Sequence, residues 1–153
     1  MSGNRVIIAL SVAGLLLLSG CGILGNTEII GIDGEFNTSD STFYLNGEVV
    51  NSSPGDPPAF QNVTVYLYAQ NETLLESQSA GTLRYRANFS IRSDTLPEYV
   101  IVDSPEFWEY GSALDGISVK YYRLTEENYY TVESVGSRDD LPVPVPPNSS
   151  TSE

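Results

Sequence analysis

The chain alternates apolar and polar residues over several short segments, which is the pattern of strands with one buried face. In residues 86–92, for example, Phe89 and Ile91 alternate with Asn88, Ser90 and Arg92. No stretch after Cys21 shows helical periodicity over three turns. The predicted strands are residues 42–50, 63–69, 73–78, 86–92, 99–102, 116–124 and 129–135. About seven short strands predict an all-β fold, a single antiparallel sandwich whose two sheets bury their inner faces against each other.

Segments of other composition flank these strands. Residues 1–20 predict a signal peptide, and residues 21–41, rich in Gly, Asn, Ser and Thr, predict a flexible tether with at most one short edge strand. The sandwich domain is expected to occupy residues 42–135. Residues 136–153, with a Pro-rich run and a Ser/Thr end, predict an extended or disordered tail.

The first segment indicates export. Arg5 precedes an apolar run, residues 6–18, that spans about 20 Å as a helix and is too short for a stable membrane span. The run ends in Leu18-Ser19-Gly20-Cys21, which resembles the lipobox of secreted lipoproteins. This resemblance implies cleavage between Gly20 and Cys21 and a diacylglyceryl thioether on Cys21. Since two lipid chains give stable anchoring, the expected location is the extracellular face of the cell membrane. The alternative is that Cys21 is an ordinary core cysteine.

The charge balance is strongly acidic. Asp and Glu number 20 against 7 Lys and Arg, so the net charge is −13, and a nucleic-acid partner is not expected because phosphates would be repelled. Molar salt screens such self-repulsion. With the lipobox, the acidic, lysine-poor composition is similar to that of haloarchaeal secreted lipoproteins. The alternative is an ordinary acidic surface domain.

Six Asn-X-Ser/Thr sequons are consistent with an exterior location. Asn, Ser and Thr are also common in turns, so each sequon is only a candidate for N-glycosylation. The candidate asparagines are Asn37, Asn51, Asn62, Asn71, Asn88 and Asn148.

The middle of the chain resembles the FxLyD-type immunoglobulin-like domains of secreted lipoproteins. The resemblance rests on the segments GEVVN at 47–51, VTVYLYA at 63–69 and ANFSI at 87–91, and covers about residues 42–104. It implies an immunoglobulin-like β-sandwich on an exported protein and brings no catalytic residues with it.

The residue inventory disfavours most catalytic chemistry. His is absent and Cys occurs once, which excludes His-dependent triads, Cys/His zinc clusters and an intrachain disulfide. Carboxylate pairs such as Glu106 with Glu109 are abundant, but they arise by chance in so acidic a chain. We therefore expect no enzyme activity, no catalytic residue, no cofactor and no specific metal site. A calcium site assembled from separate loops is the open alternative.

Aromatic residues are concentrated in the second half. Exposed rings beside carboxylates can hold sugars or cationic ligands, so Trp108, Tyr110, Tyr122 and Tyr130 are candidate ligand-binding residues. The alternative is that these rings are core and sheet-covering residues.

Two functions follow from these expectations. The first is a lipid-anchored, non-enzymatic surface module that has a structural role or contacts other envelope proteins or glycans. The second is an accessory lipoprotein that binds a carbohydrate or small solute through its aromatic residues. The oligomeric state, the partner and the biological process are not determined by the sequence.

Overall fold

The computed structural model describes residues 28–39, 41–53, 55–113 and 117–146, within which the chain forms eight strands and one α-helix. A 3₁₀ turn at Arg138–Asp140 follows the last strand. The α-helix, α1 (Pro105–Ala113), lies between the sixth and seventh strands. The strands are β1 (Glu28–Ser39), β2 (Thr42–Asn51), β3 (Phe60–Tyr68), β4 (Leu74–Leu83), β5 (Arg86–Ser93), β6 (Tyr99–Asp103), β7 (Ile117–Leu124) and β8 (Tyr130–Val135).

The strands form two facing layers. One layer contains β1, β2 and β5, and the other contains β4, β3, β6, β7 and β8, with antiparallel neighbours in both. The layers are continuous because Glu28–Ile30 of β1 also pairs in parallel with Ile117–Val119 of β7. All eight strands thus belong to one sheet, in the order β4-β3-β6-β7-β1-β2-β5, with β8 paired to β7. The predicted all-β sandwich fold is confirmed.

The core lies between the layers and is built by the alternation seen in the sequence. In β5, Ala87, Phe89 and Ile91 are buried while Asn88 and Arg92 are exposed, as predicted. The same alternation in β2 places Phe43, Leu45 and Val49 inward. The core also includes buried side chains of β1, β3, β6 and β7: Ile30, Ile32, Val63, Val65, Leu67, Val100, Val102, Ile117 and Val119.

The prediction of a tether was wrong for residues 28–39, which form the twelve-residue strand β1. Ile30 and Ile32 are buried in the core, and Phe36 packs against it. β1 pairs with β2 along its length and with β7 at its start, so its backbone groups are hydrogen-bonded within the sheet. Its polar side chains can then lie on the outer face of the sheet. The first part of the predicted tether, residues 21–27, lies outside the described residues.

The helix α1 was not predicted, because its nine residues make fewer than three turns. Ser104 precedes it and its hydroxyl accepts a hydrogen bond from the Glu106 amide at 3.3 Å, and Pro105 occupies the first helical position. Phe107 is fully buried and meets Phe60 edge to face, with ring centroids 5.0 Å apart. A nine-residue helix is too short for a clear period, so Ser104-Pro105-Glu106 was the signal that could have predicted it.

The prediction of disorder was wrong for residues 136–146, whereas residues 147–153 lie outside the described ranges. Val143 is buried among Tyr66, Tyr68, Ile101 and Tyr121 on the outer face of the β3-β6-β7 layer. The Tyr68 hydroxyl donates to the Pro144 carbonyl at 3.1 Å, and burial raises the pKa of Tyr68 to about 12. The tail therefore covers Tyr66 and Tyr68 on the outer face of β3.

A close approach of β1 and β2 depends on two paired glycines, Gly34 and Gly47. A Cβ on Gly47 would overlap the Asp33 carbonyl oxygen and lie 2.8 Å from the Gly34 Cα. We expect Gly47→Ala to lower the free energy of unfolding by about 1–3 kcal/mol, because backbone must move to admit the methyl group. Urea unfolding in one fixed salt concentration measures this change.

The matched control is Gly136→Ala, where the nearest neighbour of a Cβ is the Ile117 carbonyl oxygen at 3.9 Å. This variant should unfold at nearly the wild-type urea concentration. Equal effects of the two substitutions would show that the close approach at Gly47 does not constrain the layer.

Candidate functional site

The four aromatic residues predicted to bind a ligand lie at opposite poles of the sandwich. Trp108 and Tyr110 belong to α1, beside the starts of β1 and β7, and this end is called the proximal pole. Tyr122 and Tyr130 lie near the other end of β7, where Leu124 pairs with Tyr130, and this end is called the distal pole. The structure therefore does not bring the four rings to one surface.

Trp108 is half-buried and belongs to a polar cluster at the proximal pole. Its ring N–H donates to Asp103 Oδ1 at 2.7 Å, and Asp103 Oδ2 accepts from Arg138 Nη2 at 2.9 Å. Asp103 is fully buried, so its charge depends on these two partners. Arg138 belongs to the tail, so its bond to Asp103 fixes the tail to the sandwich, and its Nη2 also donates to the Pro146 carbonyl at 3.1 Å within the tail. The contacts of Trp108 thus serve the fold.

Tyr110, the second aromatic residue of α1, packs against the core. Its ring meets the Phe60 ring edge to face, with centroids 5.5 Å apart. The Phe60 ring also contacts Phe107. These three rings hold α1 on the sandwich, and Tyr110 is half-buried as a result.

Tyr122 and Tyr130 meet Phe36 at the distal pole. Phe36 stacks on Tyr130 with centroids 4.7 Å apart and meets Tyr122 edge to face at 4.9 Å. The hydroxyls donate to backbone carbonyls: Tyr122 to Ile32 at 2.5 Å and Tyr130 to Pro97 at 2.6 Å. Burial raises the pKa of both hydroxyls, and nearby Glu98 raises that of Tyr130 further. Both therefore remain neutral donors, and their rings are held in fixed positions.

A cavity of about 400 Å³, called the distal cavity, opens beside this cluster. Its exposed large apolar side chains are Tyr129 and Leu96, at 53% and 39% of their surface. Its lining consists of Phe36, Thr38, Phe43, Leu96, Leu124, Asn128, Tyr129 and Tyr130. Of the four predicted aromatic residues, only Tyr130 lines it. Sequence reasoning missed Phe36 because it was assigned to the tether, and it chose the wrong member of the Tyr129-Tyr130 pair as the exposed ring.

An acidic cavity of about 380 Å³ shares Leu124 with the distal cavity. Glu98, Glu126 and Glu133 line it together with one cation, Arg123. Arg123 lies 3.6 Å from Glu133 Oε1 and 4.0 Å from Glu98 Oε1. Three carboxylates against one guanidinium leave this side of the distal pole negative.

Four of the six candidate glycosylation sites are exposed. Asn37 and Asn88 lie on the outer face of the β1-β2-β5 layer, and Asn62 and Asn71 are also exposed. Asn51 is 6% exposed, and its side-chain nitrogen is buried without a hydrogen-bond partner. Since a glycan is attached to this nitrogen, the folded chain has no room for one at Asn51. Asn148, Cys21 and the cleavage site at Gly20 lie outside the described residues.

Within the described ranges, no helix is long and apolar enough to cross a membrane. No group of three or more acidic or Cys side chains in these ranges is arranged to hold a metal ion.

Comparison with known proteins returned nothing: no family model, no curated protein and no solved structure matches this chain. The fold defines the class of protein, an all-β sandwich.

Proposed function

We propose that the protein is a lipid-anchored, non-enzymatic module on the extracellular face of the cell membrane, where it has a structural role or contacts other envelope components. The observation that carries this proposal is the position of the single cysteine, Cys21, directly after an export-type apolar run and in the sequence Leu-Ser-Gly-Cys. Acylation of this thiol would hold an otherwise water-soluble sandwich at the membrane.

The start of the fold supports a short connection to such an anchor. Strand β1 begins at Glu28, and the seven steps from Cys21 extend at most about 25 Å. The proximal pole, where β1 begins, would then face the membrane, and the distal pole would face outward. With so short a connection, the module would lie much closer to the lipid surface than it would with a tether of twenty residues.

The ion pairs support an environment of high salt. Each of the five arginines in the described ranges has a carboxylate within 4.0 Å: Arg84 with Asp56, Arg86 with Glu48, Arg92 with Asp94, Arg123 with Glu98 and Arg138 with Asp103. The chain has 20 acidic residues against 7 Lys and Arg, so its carboxylates far outnumber its cations. Their mutual repulsion falls steeply when molar salt reduces the Debye length to about 3 Å.

Mass spectrometry of the protein purified from membranes in high salt tests the anchor. We expect the mature chain to begin at Cys21 and to carry a thioether-linked diacylglyceryl group. Cys21→Ser should be released into the medium, whereas the control Ser19→Ala, which keeps the cysteine, should stay with the membrane. An unmodified Cys21, or a Cys21→Ser protein that stays fully membrane-bound, would contradict the proposal.

A second candidate function is that of an accessory ligand-binding lipoprotein. The distal cavity favours it, because rings with fixed positions surround an open space of about 400 Å³ at the pole opposite the start of β1. Concave, mostly apolar sites with few polar groups are typical ligand sites.

A further inference from the structure

The walls of the distal cavity are aromatic and rigid. Phe36 is held between Tyr122 and Tyr130, and Phe43 lies 6.0 Å from Tyr130 between ring centroids. Because the Tyr130 hydroxyl is bonded to Pro97, binding a ligand would not require this ring to reorient. Tyr129, more than half exposed, forms the open side.

The lining has few hydrogen-bonding groups. Apart from the tyrosine hydroxyls, its polar side chains are Thr38 and Asn128, and Tyr130 already uses its hydroxyl within the protein. A sugar carries several hydroxyls that each need a partner when they leave water. The lining therefore favours a ligand that presents a surface of methyl groups.

The surroundings of the cavity are negative. The described side chains that line it carry no charge, but Glu126 and Glu127 lie in the turn that leads to Asn128. Glu98 lies close enough to Tyr130 to act on its hydroxyl. The neighbouring acidic cavity adds Glu133, and its Arg123 is already held by two of these carboxylates. A cation is thus attracted to this pole and an anion is repelled.

We propose that the distal cavity binds a small organic cation that carries an alkylated ammonium group. The proposal rests on the second candidate function and names its class of ligand. A methylated ammonium has no N–H donor to satisfy, and its charge is stabilised by aromatic faces within about 6 Å of the ring centroids. Aromatic rings supply the contact surface, and the neighbouring carboxylates add an attraction that weakens as salt is raised.

Isothermal titration of the full-length lipoprotein, in a detergent without a quaternary ammonium group, tests the proposal with choline as the probe. The neutral comparison is 3,3-dimethylbutan-1-ol, which has the shape of choline without its charge, and glucose represents sugars. We expect choline to bind and the neutral isostere to bind about tenfold more weakly, the difference expected for a cation–π contact.

The matched variants are Tyr129→Ala and Tyr85→Ala, which each remove an exposed tyrosine. Tyr85 is 50% exposed and bonds to Asp56, away from the distal cavity. We expect choline affinity to fall about tenfold in Tyr129→Ala and to stay unchanged in Tyr85→Ala. Glu126→Gln with Glu127→Gln should weaken choline binding and should do so less as salt is raised.

The possible results distinguish an error in the ligand class from an error in the ligand-binding function. If glucose or the neutral isostere binds as tightly as choline and depends on Tyr129, the cavity is a ligand site but the cationic class is wrong. If none of the three probes binds, both the class and the ligand-binding function are overturned. Choline binding that is equal in wild type and Tyr129→Ala overturns the site.

Discussion

Replacing Arg138 with methionine is expected to lower the free energy of unfolding by about 2–4 kcal/mol, because it leaves the fully buried Asp103 carboxylate without its cationic partner. Because Arg138 itself is one-third exposed, the loss of stability should be near the lower end of the range found for completely buried ion pairs. Arg138 belongs to the tail, and the substitution removes its bonds to Asp103 and to the Pro146 carbonyl, so the tail should be held less firmly on the sandwich. Urea unfolding measures the first effect, and hydrogen exchange of residues 137–146 measures the second.

A surface pair provides the control for this experiment. Arg92 lies 3.2 Å from Asp94, and both side chains are mostly exposed, so Arg92→Met should cost less than about 1 kcal/mol. The double variant Asp103→Asn with Arg138→Met should recover part of the lost stability, because the uncompensated charge is gone while the amide oxygen can still accept from Trp108. If Arg138→Met were as mild as Arg92→Met, the buried pair would not stabilise the fold.

The second large effect is expected for Phe107→Ala, which should lower the free energy of unfolding by about 3–5 kcal/mol. Phe107 is fully buried and is the residue through which α1 enters the core against Phe60. Truncation leaves a cavity and removes the contact that holds α1 in place. The change in the urea midpoint gives the magnitude, and increased hydrogen exchange in α1 would identify the cause.

Two comparisons make this prediction specific. Phe107→Leu keeps most of the apolar volume and should cost about half as much or less. Leu74→Ala removes an apolar side chain that is 40% exposed and should have little effect. A loss for Phe107→Ala no larger than that for Leu74→Ala would show that α1 contributes little to the stability of the sandwich.

The strands that the sequence predicted are those in which one face is buried and the other meets solvent. β5 is the clearest case: Phe89 and Ile91 point inward, Asn88 and Arg92 point outward, and the predicted bounds differ from the observed strand by one residue. β2, β6, β7 and β8 were likewise placed to within about one residue. A period of two is local, so it can be seen without knowing what the strand packs against.

The elements that were missed depend on distant partners. β1 has the polar composition of a loop, yet its backbone groups are paired by β2 and β7. The tail was assigned to disorder for its prolines, yet Val143 finds a hydrophobic surface on β3, β6 and β7. The composition of β1 does not reveal the strands with which it pairs, and the composition of the tail does not reveal the surface that it covers.

The candidate site was likewise only partly predicted, because its residues come from distant parts of the sequence. Tyr130 was identified as a candidate from its neighbours in sequence, but its main partner, Phe36, lies in β1 at the other end of the domain sequence. Trp108 was a candidate of equal standing, and the structure places it instead against Asp103 at the opposite pole. Which rings share a surface depends on the order of the strands in the sheet and on their register.

By itself the sequence determined the class of the fold, through side-chain alternation that each strand displays locally, and the acidic charge that follows from composition. The expected lipid on Cys21 also comes from the sequence and stays a prediction. Only the tertiary structure decided that residues 28–39 belong to the sheet, that the tail is fixed by Arg138, and that Phe36 and Tyr130 share one cavity. These features arise from contacts between distant segments, whose free energy is gained only when the whole sandwich has formed.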